Sequence, residues 1–254
     1  MTDMTHDEPT HELGAMEGNP FHDALFEQPQ QEQEDCMEAS IADVINEMGY
    51  GPVTDENIAQ EAEQVPSAVQ VNPFTGAPLP ADHSAYGPNQ GSSLQDAPTL
   101  LAAHGIQAIF TDDQTAAQGG PATGLDGLQQ QLSAGHHVLV GVDAEKIWDA
   151  VGVTHPDPDG DRPDHVVEVT GIDTDQGVVY LNDTGNEDPT NPHAGAAEAV
   201  DIGVFERAWA LSNHEMVATT DADPAAANPD PLAVSGPIPP AAQQDPFASL
   251  PEIL

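Results

Sequence analysis

Three residues that are far apart in the sequence have the types that thiol chemistry requires, and Cys36 is the first of them. Cys36 is the only cysteine of the chain, and it follows Asp35 at the predicted start of a helix. Backbone N–H groups at a helix N-terminus favour the thiolate, which is the nucleophilic form of the side chain. The acidic neighbours Glu32, Glu34 and Glu38 oppose a thiolate, so we expect an imidazole to pair with it.

His165 and Asp183 lie at facing ends of a predicted β-hairpin. His165 opens the strand 165–172 after an irregular loop, and Asp183 follows the partner strand 178–181. In an antiparallel hairpin with a short turn, the start of one strand faces the end of the next, so the two side chains should be neighbours. Together with Cys36 they would form a relay of thiolate, proton-carrying imidazole and orienting carboxylate.

Each of these residues also has an ordinary interpretation. A lone cysteine is more often unreactive, a histidine at a strand edge more often lies on the surface, and a carboxylate after a strand more often belongs to a turn. The joint placement of the three is what favours catalysis. It fits the general pattern of one cysteine with a histidine and an aspartate that are distant in sequence but adjacent in the fold.

Helical periodicity dominates the N-terminal half. The apolar residues after Cys36 recur at helical spacing and predict a helix that a pair of glycines ends. Asp35 and Glu38 have the spacing of a capping box at its start. Further helices are predicted after Thr54 and from Ser92.

Strand patterns dominate after residue 105. The predicted strands are 106–110, 138–142, 165–172, 178–181 and 215–219, with helices at 125–133 and 205–211. Residues 66–91 and 143–164 are predicted to be loops. Helices followed by antiparallel strands indicate an α+β fold, in which an N-terminal helical half packs on a C-terminal antiparallel sheet.

The composition divides the 254 residues into a folded part and two flanking segments. Asp and Glu number 44 against 3 Lys and Arg, so the formal charge is −41. Residues 1–27 are acidic and lack periodicity, which predicts a disordered arm. Residues 221–254 are rich in Ala, Pro and Asp, which predicts a disordered tail. The folded domain is therefore expected over residues 28–220.

The acidity excludes several partners. With Lys146, Arg162 and Arg207 as its only Lys and Arg residues, the chain cannot make the row of phosphate contacts that nucleic acids require, and anionic lipid would repel it. The sequence contains neither the apolar run of a spanning helix nor a secretory signal, so we expect a cytoplasmic monomer, with leaderless export left open. Adaptation to salt is the simplest reason for the charge, and mimicry of a nucleic-acid backbone is the alternative.

No metal, nucleotide or other cofactor is predicted. Three aspartates alternate over 157–161 as in a calcium loop, but Gly160 comes too early for an EF-hand. His136, His137 and His155 could ligate a metal, yet the sequence offers no closed ligand set around them. The glycine-rich motifs that bind nucleotides are absent from the sequence.

The segments that carry the candidate chemistry resemble those of a known family. The run QQEQEDC from Gln30 to Cys36, HVVEVTGID from His165 and VVYLND up to Asp183 are similar to papain-like cysteine peptidases of the bacterial double-glycine leader-peptidase type, including freestanding relatives without a transporter. The resemblance covers roughly residues 28–220 and implies a papain-like fold. It also implies Cys36 as nucleophile, His165 as general base and acid, and Asp183 as the residue that orients the ring.

The resemblance further implies a side-chain donor for the oxyanion. Gln30, six residues before Cys36, would stabilise the tetrahedral intermediate together with a backbone N–H. Gln28, Gln31 and Gln33 are further candidates for this donor.

The implied function is hydrolysis of a peptide or isopeptide bond in a peptide or protein substrate, through an acyl-enzyme on Cys36. Met37 stands where the family usually has Gly, and exporter segments are absent, so cleavage after Gly-Gly is not carried over. A catalytically idle peptide-binding module of the same fold and an acidic interaction protein are the alternatives.

Overall fold

The computed structural model describes residues 16–31, 34–69, 71, 78–80, 83–87, 91–153, 160–186, 191 and 193–223. The helices of these ranges are α1 Pro20–Asp23, α2 Cys36–Glu47, α3 Asp55–Ala62, α4 Ala97–Ala103, α5 Asp113–Ala117, α6 Gly124–Ser133, α7 Ala144–Val151 and α8 Ile202–Trp209. The strands are β1 Glu17–Gly18, β2 Tyr86–Gly87, β3 Gly91–Ser92, β4 Ala108–Thr111, β5 Val138–Val142, β6 His165–Asp173, β7 Val178–Asn182, β8 Glu198–Asp201 and β9 Met216–Thr219. Short 3-10 turns at Leu94–Asp96 and Ala210–Ser212 precede α4 and follow α8.

The long strands form one antiparallel sheet in the order β4-β9-β5-β6-β7-β8. β1 pairs with the C-terminal end of β6, and β2 and β3 form a separate small hairpin. β5 and β6 lie in the middle of the large sheet and are buried along their whole length. Such strands read as continuous apolar runs rather than as alternating ones, because both of their faces are covered.

Helices cover both faces of the sheet. Leu139 of β5 faces a core that includes Ile41 of α2. The next residue, Val140, faces a second core that includes Phe205 of α8. The fold is therefore α+β, with the N-terminal helices packed on a C-terminal antiparallel sheet, and this confirms the fold class predicted from the sequence.

The start of α2 differs from the predicted capping box. The Asp35 side chain makes no capping hydrogen bond, and its carboxylate accepts the hydroxyl of Tyr86 at 2.6 Å. Glu38 accepts a hydrogen bond from Ser92. Both carboxyl groups are buried, so partners from the β2–β3 hairpin replace the local ones that the spacing suggested.

Three boundaries predicted from the sequence need correction. The arm predicted over 1–27 is wrong for residues 16–27, which contain β1 and α1, because β1 depends on pairing with β6 and has no local signal. The loop predicted over 143–164 contains α7. The tail predicted over 221–254 begins too early, since the Asp223 N–H donates to the carbonyl of Gly135.

The remaining parts of the predicted arm and tail, residues 1–15 and 224–254, lie outside the described residues. Within the described ranges, no helix combines the length and apolar character needed to cross a bilayer.

Candidate active site

Cys36 is the first residue of α2 and is half-buried. The helix is held to the sheet by its apolar face, which begins with the buried Met37. The hydroxyl of Ser40 also donates to the backbone carbonyl of Val166 at 3.3 Å. Because Val166 directly follows His165, this contact holds the N-terminal part of α2 beside the start of β6.

His165 opens β6 and is buried, with 6% of its surface exposed. Its Nε2 lies 2.7 Å from Oδ1 of Asp183, and the Cys36 side chain is among its polar neighbours. Since Nε2 is taken by Asp183, Nδ1 is the ring nitrogen available to the thiol. Burial opposes a charge on the ring, but the charge and hydrogen bond of Asp183, followed by the influence of Cys36, raise the pKa of His165 well above its ordinary value. The site therefore favours an imidazolium, the partner that a thiolate requires.

Asp183 follows β7 and is fully buried. Its Oδ1 accepts from His165 and from the N–H of Gly185 at 2.9 Å, and its Oδ2 accepts the indole N–H of Trp148 at 2.9 Å. Burial alone would raise the pKa of Asp183, but the positive charge of His165 and these donors lower it. The carboxylate therefore stays ionised and fixes the orientation of the imidazole.

His165 and Asp183 meet diagonally across the ladder. Glu168 of β6 is opposite Asn182 of β7, so His165 lies two residues beyond the position that faces Asp183. Residues two apart on a strand share a face, and diagonal neighbours are within reach of long side chains. The side chains are thus neighbours, as the sequence analysis expected, although the residues are not directly paired.

Trp148 and Gly185 belong to the site and were not predicted. The Trp148 ring packs against His165, with ring centroids 5.4 Å apart. A Cβ on Gly185 would lie only 2.7 Å from Cε1 of His165, so glycine is required for the imidazole to occupy this place. A signal for α7 was present in the sequence, because Asp143 caps the helix and Gly152 ends it in the left-handed conformation.

The glutamines proposed as oxyanion donors take different places. The backbone N–H of Gln30 donates to the carbonyl of Thr184 at 2.9 Å, and the Thr184 hydroxyl lies 3.4 Å from Gln30 Oε1. Gln28 instead donates its amide to Asp43 at 3.3 Å, and Gln31 is exposed. Gln30 is therefore hydrogen-bonded to Thr184, the residue that follows Asp183. Gln33 lies outside the described residues.

The acidic residues around Cys36 do not all carry a charge. Burial raises the pKa of Glu38 to about 8, although the hydrogen bond from Ser92 opposes the shift. At neutral pH Glu38 is therefore mostly a neutral acid. This lowers the negative field that the sequence alone places around the thiol.

A similar division of charge surrounds Asp183. Burial and then the charge of Asp183 raise the pKa of Glu27 to about 8. The same two causes, in the same order, raise the pKa of Glu198 well above its ordinary value. Asp183 is thus ionised, while the neighbouring Glu27 and Glu198 favour their protonated forms. One negative charge therefore faces one positive charge, that of the His165 imidazolium.

No family model matches the sequence. The chain is 39% identical over 208 residues to the uncharacterized protein Rv1268c of Mycobacterium tuberculosis and to Mb1299c of Mycobacterium bovis. The alignment covers 82% of this chain and 85% of each relative. The chain belongs to this mycobacterial Rv1268c family.

A solved structure places the Rv1268c-family chain among the peptidase folds. A Bacillus anthracis protein assigned as a C39-like peptidase aligns with a TM-score of 0.50 and 16% identity, over 79% of this chain and 96% of that protein. The chain therefore has a papain-like C39 fold.

In this Rv1268c-family chain the side chain after the cysteine, Met37, is 1% exposed and packs in the core below α2. Its bulk therefore points away from the surface on which Cys36 lies.

Proposed function

We propose that the chain is a cysteine peptidase that cleaves a peptide or isopeptide bond through an acyl-enzyme on Cys36. The observation that carries the proposal is the buried 2.7 Å hydrogen bond between His165 and Asp183, with the Cys36 side chain close enough to raise the pKa of the same imidazole. Three different elements supply these residues, and each residue has the chemical type and the neighbour that its role needs.

The proposed first step is attack of the Cys36 thiolate on the carbonyl carbon of the substrate. His165 takes the thiol proton, and Asp183 stabilises the imidazolium that results. The oxygen of the tetrahedral intermediate would accept hydrogen bonds from the backbone N–H of Cys36 and the amide of Gln30. The N–H of Cys36 suits this role because N–H groups in the first turn of a helix have no partner within the helix.

In the second half of the reaction His165 returns the proton. The imidazolium protonates the leaving amine as the carbon–nitrogen bond breaks, and the acyl group remains on the sulfur of Cys36. His165 then removes a proton from a water molecule that attacks the thioester. The second tetrahedral intermediate collapses, and the thiolate leaves.

The charge of the chain restricts the substrate class. With a formal charge of −41, the surface repels acidic peptides and attracts basic ones. We therefore propose a basic or neutral peptide or protein segment as substrate.

Alkylation of Cys36 by iodoacetamide tests the thiolate–imidazolium pair. Because the chain has one cysteine, all labelling reports on Cys36. We expect labelling at about pH 6.5, roughly two units below the pKa of an ordinary cysteine, and loss of this labelling in His165→Ala. His104→Ala is the matched control, since its imidazole belongs to a different histidine–carboxylate pair, in which Nε2 lies 2.9 Å from Oε2 of Glu61.

Turnover requires a second measurement. Incubation with a mixture of basic and acidic peptides, followed by mass spectrometry, should show cleavage of basic members and none with Cys36→Ser. Labelling of Cys36 only at alkaline pH would contradict the proposed pair. Labelling at low pH without cleavage would instead identify a catalytically idle peptide-binding module.

A further inference from the structure

A second group of chemically active side chains lies at the opposite end of α2. Glu47 ends α2, His137 precedes β5, and Glu168 lies in the middle of β6. Nδ1 of His137 is 2.8 Å from Oε2 of Glu47 and 2.9 Å from Oε1 of Glu168. All three residues are buried, with 6%, 5% and 0% of their surfaces exposed.

Two carboxylate oxygens of the group face one ring nitrogen, Nδ1 of His137, which can carry only one hydrogen atom. One hydrogen on Nδ1 of His137 serves Oε1 of Glu168. Oε2 of Glu47 faces the same nitrogen but has no aligned hydrogen bond among the described residues, and neither has Nε2 of His137. Buried polar atoms are nearly always satisfied, so the unpaired Oε2 of Glu47 indicates that a further proton, or a cation in place of the Nδ1 hydrogen, lies between Nδ1 of His137 and the two carboxylates. A shared proton satisfies one carboxylate, whereas a divalent cation satisfies both.

The surroundings suit a bound cation. A cavity of about 610 Å³, lined in part by Asp23 and Asp223, reaches His137 of the group and offers an acidic approach for an ion. The amide of Asn182 lies 3.5 Å from Oε1 of Glu47 and 3.4 Å from Oε2 of Glu168. Such contacts to the outer carboxylate oxygens orient ligands in many metal sites.

We propose that Glu47, His137 and Glu168 bind one divalent transition-metal ion of the Zn²⁺ type. Their three ligand atoms lie within 4.8 Å of one another, which accommodates zinc–ligand distances of about 2.0–2.2 Å. One imidazole and two carboxylates match Zn²⁺ and its neighbours, while Ca²⁺ and Mg²⁺ prefer oxygen ligands alone. Two positive charges also neutralise the two buried carboxylates.

The site is structural and separate from the proposed peptidase centre. Cys36 and Glu47 stand at the two ends of α2, about 16 Å apart at 1.5 Å per residue. β6 supplies both His165 and Glu168. A metal at this place would tie α2 to β6 and so set the distance between Cys36 and His165. The proposal does not depend on peptidase activity.

The test uses the untagged full chain. We expect elemental analysis of protein purified from zinc-supplemented cells to find about one zinc per chain. Removal with a chelator should lower Tm, and Zn²⁺ should restore it in a buffer containing excess Mg²⁺ to saturate surface carboxylates. Co²⁺ added to the stripped chain should give the intense visible d–d absorption of four- or five-coordinate Co²⁺, whereas octahedral Co²⁺ on surface carboxylates absorbs only weakly.

Two variants locate the site. Glu168→Gln keeps the size of the side chain, and we expect it to bind Zn²⁺ at least about 10-fold more weakly. Glu61→Gln is the control, because it changes the carboxylate of another histidine pair and should keep the zinc affinity. If Glu168→Gln does not fold, the Co²⁺ spectrum of the unmodified chain decides. Absence of that spectrum, with a Tm unaffected by Zn²⁺ and chelator, would overturn the proposal.

Discussion

The indole N–H of Trp148 donates to Oδ2 of Asp183 at 2.9 Å, and this bond makes helix α7 part of the candidate active site. The same ring packs against His165 at an angle of 55°. One side chain therefore orients the carboxylate and covers the imidazole that the carboxylate holds. Because Trp148 acts on the site through its contacts with Asp183 and His165, we assign it a positioning role.

Trp148→Phe should retain the aromatic packing and remove the donor. A hydrogen bond to a charged group contributes about 1.5–3 kcal/mol, so we expect turnover to fall about 10–100-fold with little change in KM. Iodoacetamide labelling of Cys36 at about pH 6.5 should slow in parallel. Trp209→Phe is the matched control, since it removes an indole donor to the carbonyl of Glu215. Equal loss in both variants would show that the effect is only structural.

Gly185→Ala should displace the imidazole without unfolding the chain. The added Cβ would lie 2.7 Å from Cε1 and 3.1 Å from Nε2 of His165, both closer than an ordinary contact. We expect labelling of Cys36 at about pH 6.5 to fall at least about 10-fold, because the imidazole no longer pairs with the thiol. Gly141→Ala is the control, since its Cβ would meet neighbours only at 3.6 Å or more. Unchanged labelling in Gly185→Ala would contradict the assigned position of His165.

The parts of the site that could be predicted have local signals. Cys36 follows the break before a periodic apolar run, and β6 and β7 are apolar strands joined by a polar turn. Antiparallel hairpins fix which strand ends meet, so His165 and Asp183 could be placed together before any coordinates were known. Gln30 lies beside Thr184, the residue after Asp183, through a backbone hydrogen bond that no local pattern indicates.

The parts that could not be predicted depend on tertiary partners. β1 is two residues long and forms only by pairing with the C-terminal end of β6. Helix α7 lies beside a segment rich in Pro and Asp. This composition favoured the prediction of a loop over 143–164, although Asp143 caps the helix. The charge of Glu38 depends on its burial, which the sequence does not show. From the sequence alone the residue is expected to be negative next to Cys36, but in the fold it is mostly neutral at pH 7.

Met37→Gly, which introduces the residue usual in the resembling peptidases, should destabilise the chain. Met37 is 1% exposed and contacts the core between α2 and the sheet. Loss of a buried Met side chain and a glycine in a helix together cost about 3–5 kcal/mol. Urea unfolding should show this loss, while Met37→Leu should cost less than about 1.5 kcal/mol. A small effect of Met37→Gly would mean that the side chain is not packed as described.

The stability of the chain should decrease as the pH rises through neutrality, and Glu38 should account for part of the decrease. Its pKa in the folded chain is about 8, above the ordinary value of 4.5 that applies after unfolding. The unfolded chain therefore loses this proton first. The stabilisation is complete below about pH 4.5 and is lost as the pH rises toward about 8, by about 1.4 kcal/mol per pH unit.

Glu38→Gln should remove the contribution of this one proton, because glutamine resembles the protonated acid and cannot ionise. Between about pH 5.5 and pH 7.5 the free energy of unfolding should fall about 2–3 kcal/mol less in the variant than in the unchanged chain. Urea unfolding at the two pH values measures this difference. Glu63→Gln, at an exposed position, should leave the decline as it is. Identical declines in all three proteins would mean that Glu38 ionises normally, and the carboxylate would then stand charged beside Cys36.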